Sequence, residues 1–134
     1  MSTSFAFTPI ITEGLIFYVD AANVKSYVSG STTWNDISTR QHVTTLINSP
    51  TFSESNSGCI VFDGVDDYGR IPYIGTTLDF KFSNTDFTLE AWFNSNNFSG
   101  GQIVISNDTY LWSFDYCIYI PNNQQLSIAV SCIG

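Results

Sequence analysis

Asp63, Asp66 and Asp67 gather three carboxylates within five residues around an Asp-Gly turn. Hard oxygen ligands at that density are the raw material of a Ca2+ site, since Ca2+ takes about six to eight oxygens at roughly 2.3–2.6 Å. The spacing is not that of an EF-hand loop, and acids at strand ends ordinarily build turns by bonding to nearby backbone. No cofactor is therefore expected, with Ca2+ left open. Asp36 is expected either to cap the loop behind Trp34 or to join such a site. Trp34, Trp92, Tyr110 and Trp112 are candidate ligand-binding platforms for sugars, which need exposed rings beside polar neighbours; the competing use of each ring is core. His42 has no Cys nucleophile or Ser motif at a recognisable spacing, so it reads as a solvated loop residue outside any triad. Cys59, Cys117 and Cys132 are odd in number and lack metal-ligand spacing, so they read as small buried hydrophobes.

Twelve acidic residues against four basic ones give a net charge of −8, and Lys25, Arg40, Arg70 and Lys81 stand singly. Phosphate backbones are repelled, which excludes nucleic acid as a partner. The polar cover is mostly Ser, Thr and Asn, suited to neutral hydrogen-bonding partners. Residues 1–11 contain no base and are interrupted by Ser, Thr and Pro, unlike a signal peptide. The longest apolar run, residues 15–19, is far short of the roughly 20 residues that span a bilayer, so no membrane insertion is expected. The sequons at Asn97 and Asn107 are expected by chance in so Asn- and Ser-rich a chain.

Those candidate residues need elements to position them. Ile, Val and Thr outnumber the whole set of Ala, Leu, Lys, Arg, Glu, Gln and Met, which favours strands over helices. Residues 1–13 read as an extended N-terminal arm whose Phe5, Phe7, Ile10 and Ile11 are candidate partner contacts, and residues 14–134 as one domain. Residues 14–20 are apolar on both faces and are expected to form a central strand. Residues 21–35 read as a long loop ending at Trp34, whose indole N–H needs a partner. Residues 43–47 predict a short strand, Asn48-Ser49-Pro50 a break, and residues 53–58 a polar loop. Asp63-Gly64 is expected to turn a hairpin between strands at 59–62 and 68–73. Residues 86–94 alternate most cleanly, with Phe87, Leu89, Ala91 and Phe93 opposite Thr88, Glu90, Trp92 and Asn94. Strands at 102–106, 110–120 and 125–132 complete an all-β chain, best fitted by an antiparallel two-sheet β-sandwich or jelly roll.

Four segments, in order, carry a resemblance: Gly14-Leu15-Ile16-Phe17-Tyr18-Val19-Asp20-Ala21; Trp34-Asn35-Asp36-Ile37-Ser38; Cys59-Ile60-Val61-Phe62-Asp63-Gly64-Val65-Asp66-Asp67-Tyr68; and Phe87-Thr88-Leu89-Glu90-Ala91-Trp92-Phe93. Together they resemble the laminin-G-like branch of the concanavalin A-like lectin and glucanase superfamily, a two-sheet jelly roll. The sequence departs from that pattern at Ser38-Thr39-Arg40-Gln41-His42, where many relatives carry a Gly/Asn-rich turn. The resemblance also implies further strands beyond Gly134. An incomplete sandwich, with its open edge and apolar face covered by a partner chain, by self-association or by the Phe5/Phe7 arm, is the expectation.

The glucanases of this superfamily carry two Glu on one strand face flanking an Asp, because retaining hydrolysis needs two carboxyl groups about 5 Å apart. Here the glutamates are only Glu13, Glu54 and Glu90, and Trp92 and Asn94 take the same-face positions beside Glu90. No enzymatic activity is expected. Proteins with this look occur among bacterial surface proteins and in phage virions, so the resemblance implies a virion component made in the host cytoplasm, such as a capsid decoration or a tail or fibre protein. Its partners would be other virion proteins or copies of itself. The alternative is a lectin-like module that recognises surface glycans, with Ca2+ as a conceivable aid.

Overall fold

A computed structural model describes residues 10–72, 80, 82, 86–95, 100–107, 116–121 and 127–130. The chain is all-β with antiparallel sheets, and the described residues hold one turn of 3-10 helix at Ser55–Ser57 and no α-helix. It divides into two compact units, Met1–Tyr73 and Ile74–Gly134.

The first unit contains β1 (Thr33–Asn35), β2 (Val43–Ile47), β3 (Thr51–Ser53), β4 (Cys59–Val61) and β5 (Tyr68–Arg70). β2 lies between β1 and β5, with Trp34 opposite Thr44 and Leu46 opposite Gly69. A Cβ at Gly69 would sit 3.0 Å from the Thr44 methyl, so the glycine makes room for that side chain. Thr44 and Leu46 point inward and are buried, while Val43 is exposed. Asn48 and Ser49, at φ 65° and 74°, take left-handed backbone and end β2 before Pro50, at the break the sequence predicts. β3 then pairs with β4 through the 3-10 turn. Gly58 has φ 122° and lies against Ala21, Ala22 and the Phe52 ring, a place and a conformation that fit only glycine. Tyr27 is buried, with its ring 5.5 Å from that of Phe52.

Several expectations are corrected here. Trp34 lies in β1 and not on a loop. The strands at 59–61 and 68–70 exist, but they do not form a hairpin with one another: β4 pairs with β3 and β5 with β2. An Asp-Gly pair dictates a reversal of the chain, and the ladder each strand joins is decided by side-chain burial elsewhere. β3 lies outside every strand the sequence predicts. Residues 14–20 join no ladder, because their backbone groups bond to Asp36, Ile37, Ser38 and Ser26 instead.

The second unit holds β6 (Gln102–Ser106), β7 (Tyr116–Ile120) and β8 (Ser127–Val130), with β7 central. Tyr116, Cys117, Ile118 and Ile120 are buried, as a continuous apolar run covered on both faces should be. The β6–β7 register shifts between Ile103 and Ile105. Phe82, Phe87 and Tyr116 cluster, with centroids 4.5 to 5.5 Å apart. Residues 86–94 are not a ladder strand: Phe87 and Leu89 are half-buried, but Ala91 and Phe93 are exposed beside Trp92. Alternation specifies two faces of an extended chain; hydrogen bonding needs a neighbour, and none pairs with it among the described residues.

Candidate functional site

The acidic turn is built from inside. Asp63 Oδ1 accepts the N–H of Val65 (2.8 Å) and of Asp66 (3.3 Å), and Asp67 Oδ2 accepts the N–H of Asp63 (3.0 Å). This is the local bonding by which Asp stabilises turns. Asn48 Nδ2 donates to the Asp66 carbonyl at 2.7 Å and ties the turn to the end of β2. One oxygen from each of Asp63, Asp66 and Asp67 then lies within 4.8 Å of the others. The Val65 N–H, helped by those of Asp66, Asp67 and Asp63, holds the Asp63 carboxyl below its ordinary value against a smaller effect of desolvation. The donor set suits a hard cation, although two of its oxygens are already engaged by backbone.

Asp36 does the capping. Burial alone would push its carboxyl up, but the N–H bonds of Ser38, Tyr18 and His42 and the Ser38 hydroxyl together hold it below its ordinary value. The Tyr18 and Ser38 N–H groups donate to Oδ1 at 2.9 and 2.7 Å; the Ser38 hydroxyl and His42 N–H donate to Oδ2 at 2.8 and 3.1 Å. Asp36 is buried and saturated, and it stands apart from the acidic turn as a ligand group. Ser26, fully buried, donates to the Asn35 carbonyl (2.7 Å) and accepts the Asp20 N–H (3.0 Å). These two side chains hold residues 18–20 beside β1 in the place of a β-ladder.

The aromatic candidates part company. Trp92 is fully exposed, and its neighbours two residues away, Glu90 and Asn94, are exposed too. Trp34 is half-buried; its Nε1 is buried without a hydrogen-bond partner, as is the Oγ1 of Thr44 across the ladder. Tyr110 and Trp112 lie outside the described residues, as do Phe5, Phe7 and Cys132. Ile10 and Ile11 are exposed, and Ile10 lines a cleft of about 310 Å³ with Thr12, Leu15, Tyr18, Ile37 and Thr39. Burial and the nearby Asp20 carboxylate, 3.3 Å away, raise the Tyr18 phenol above its ordinary value. Cys59 is half-buried in β4 and Cys117 is buried in β7. His42 is half-buried and serves the Asp36 cap through its backbone N–H and carbonyl.

Sequence reasoning missed Ser26 and Ser38. The signal for Ser38 was present, because Asp-x-Ser places a hydroxyl and an N–H two residues after a carboxylate, the spacing of local side-chain capping. Ser26 bonds to Asn35 and Asp20, partners no local pattern joins to it. No family model, curated protein or solved structure matches this chain to a significant degree.

Proposed function

We propose that this chain is a non-enzymatic structural and interaction protein with a laminin-G-like, concanavalin A-type jelly-roll fold, most simply a virion component such as a capsid decoration or a tail or fibre protein. The observation that carries the reading is the amount of large apolar surface left open, with Val61, Phe62, Val65, Tyr68, Trp92 and Phe93 all exposed. Exposed patches of that kind mark contact surfaces. Repetition on a lattice would add avidity to weak single contacts. Immunogold labelling of density-purified virus particles from cultures expressing the chain tests it. Gold on capsids, tails or fibres supports the reading, and a chain recovered only outside particles overturns it.

A second reading, a lectin-like module, is favoured by Trp92, a fully exposed indole beside Glu90 and Asn94. Rings so placed stack on the apolar face of a sugar while the polar neighbours take its hydroxyls. Ca2+, if such a module used it, would belong to Asp63, Asp66 and Asp67. A glycan array probed with and without Ca2+ distinguishes this from the first reading.

A further inference from the structure

Val61, Phe62, Val65 and Tyr68 stand exposed within eight residues, at 44, 42, 84 and 45 %. Single exposed apolar side chains are ordinary, but here four stand on one acidic turn and on the strand ends that flank it. The turn beneath them is fixed by the Asp63, Asp67 and Asn48 bonds, so Val65 is presented without ordering to be lost on binding. Val61 belongs to β4, which pairs with β3; among the described residues no strand takes its other edge. Such an edge is a template for another strand.

The charge of the surface selects the occupant. Asp63, Asp66 and Asp67 are interleaved with the apolar residues, and the nearest base in sequence, Arg70, lies beyond Tyr68 at the end of β5. A second copy would bring the same three carboxylates and a net charge of −8 to the contact. Nucleic acids and anionic lipids are repelled on the same ground. We propose that residues 59–68 dock an extended segment of another protein in which Lys or Arg alternates with apolar side chains, added as a strand beside β4. Its apolar side chains cover Val61, Phe62, Val65 and Tyr68, and its cations form charge-assisted hydrogen bonds with the three carboxylates. The inference rests on the reading of the chain as an interaction protein and names the chemistry of its partner.

The test is an amide NMR titration of the full isotope-labelled chain with a short synthetic peptide alternating Lys and Val, beside Glu-Val and Lys-Ser peptides as controls. The Lys-Val peptide is expected to shift the amides of residues 59–68, with an affinity that falls as salt is raised and about tenfold in Val65→Ser and in Asp66→Asn. Both substituted side chains are exposed, so the fold is not at stake in either variant. Absence of shifts at 59–68, equal binding of either control peptide, or an unchanged affinity in Val65→Ser overturns the proposal. Particle labelling fails separately: a chain absent from particles that still binds the Lys-Val peptide at 59–68 removes the virion reading and leaves the docking surface standing.

Discussion

Replacing Asp36 by Ala strips the acceptor from three backbone N–H groups, those of Tyr18, Ser38 and His42, and from the Ser38 hydroxyl. Asp36 and Ser38 are buried, so water replaces that acceptor only in part. Hydrogen bonds to an ionised group contribute about 1.5–3 kcal/mol each, but four on one carboxylate are not additive, and a loss of about 3–5 kcal/mol is the reasonable expectation. That is a large share of the roughly 5–15 kcal/mol that holds a domain folded. Asp36→Asn should lose less, about 1–3 kcal/mol, because Oδ1 keeps its two donors and the Ser38 hydroxyl can turn to accept from the new amide. The His42 N–H is then left facing another donor. Urea unfolding followed by tryptophan fluorescence measures the free energies, and amide hydrogen exchange at Tyr18, Ser38 and His42 assigns them to this cap. The pH dependence has a fixed sign. Asp36 has a folded-state value below its ordinary 3.8, so its contribution is complete above that value and is lost as pH falls through the lowered one. Acidification should therefore narrow the gap between the wild type and Asp36→Asn. An Asp36→Ala protein within about 0.5 kcal/mol of wild type, with the three amides no less protected, would refute the reasoning.

Gly58→Ala should destabilise the first unit by about 1–3 kcal/mol, since the new Cβ meets Ala22 Cα and Phe52 Cζ at 3.1 Å in a left-handed conformation, and thermal melting reads this directly. Ser26→Ala removes two buried hydrogen bonds and should cost about 1–3 kcal/mol in the same assay, with faster exchange at the Asp20 amide. Trp92→Ala should change stability by less than about 0.5 kcal/mol while abolishing any binding found on a glycan array; retained binding would move the sugar site away from this ring.

Local reading went furthest where a segment's own side chains supply its constraint. Residues 43–47 and 102–106 were legible as strands to the residue, and Cys59, Ile60 and Val61 as a strand one residue shorter than expected. The Asp63-Gly64 turn was legible as a turn, because an Asp carboxylate reaches N–H groups two and three residues on whatever the rest of the chain does. Pairing was not legible. The apolar run at 14–20 promised a central strand, yet its amides are held by Asp36 and Ser26, side chains from loops six and more residues away. The alternation at 86–94 promised a buried face, and Trp92 and Phe93 are exposed. A short polar side chain competing for a backbone amide leaves no periodic trace in sequence.

Of the candidate site, the sequence alone determined the cluster of Asp63, Asp66 and Asp67, the net charge of −8, and the all-β class, since each follows from residue type and near-neighbour spacing. Tertiary structure alone decided that Asp36 is a buried cap outside the acidic cluster, that β4 pairs with β3 and β5 with β2, and that Trp92 faces solvent while Trp34 is half-buried. These depend on which distant groups meet. A strand's hydrogen bonds and a ring's burial belong to pairs of segments, and a pair is fixed only when the whole unit has closed around it.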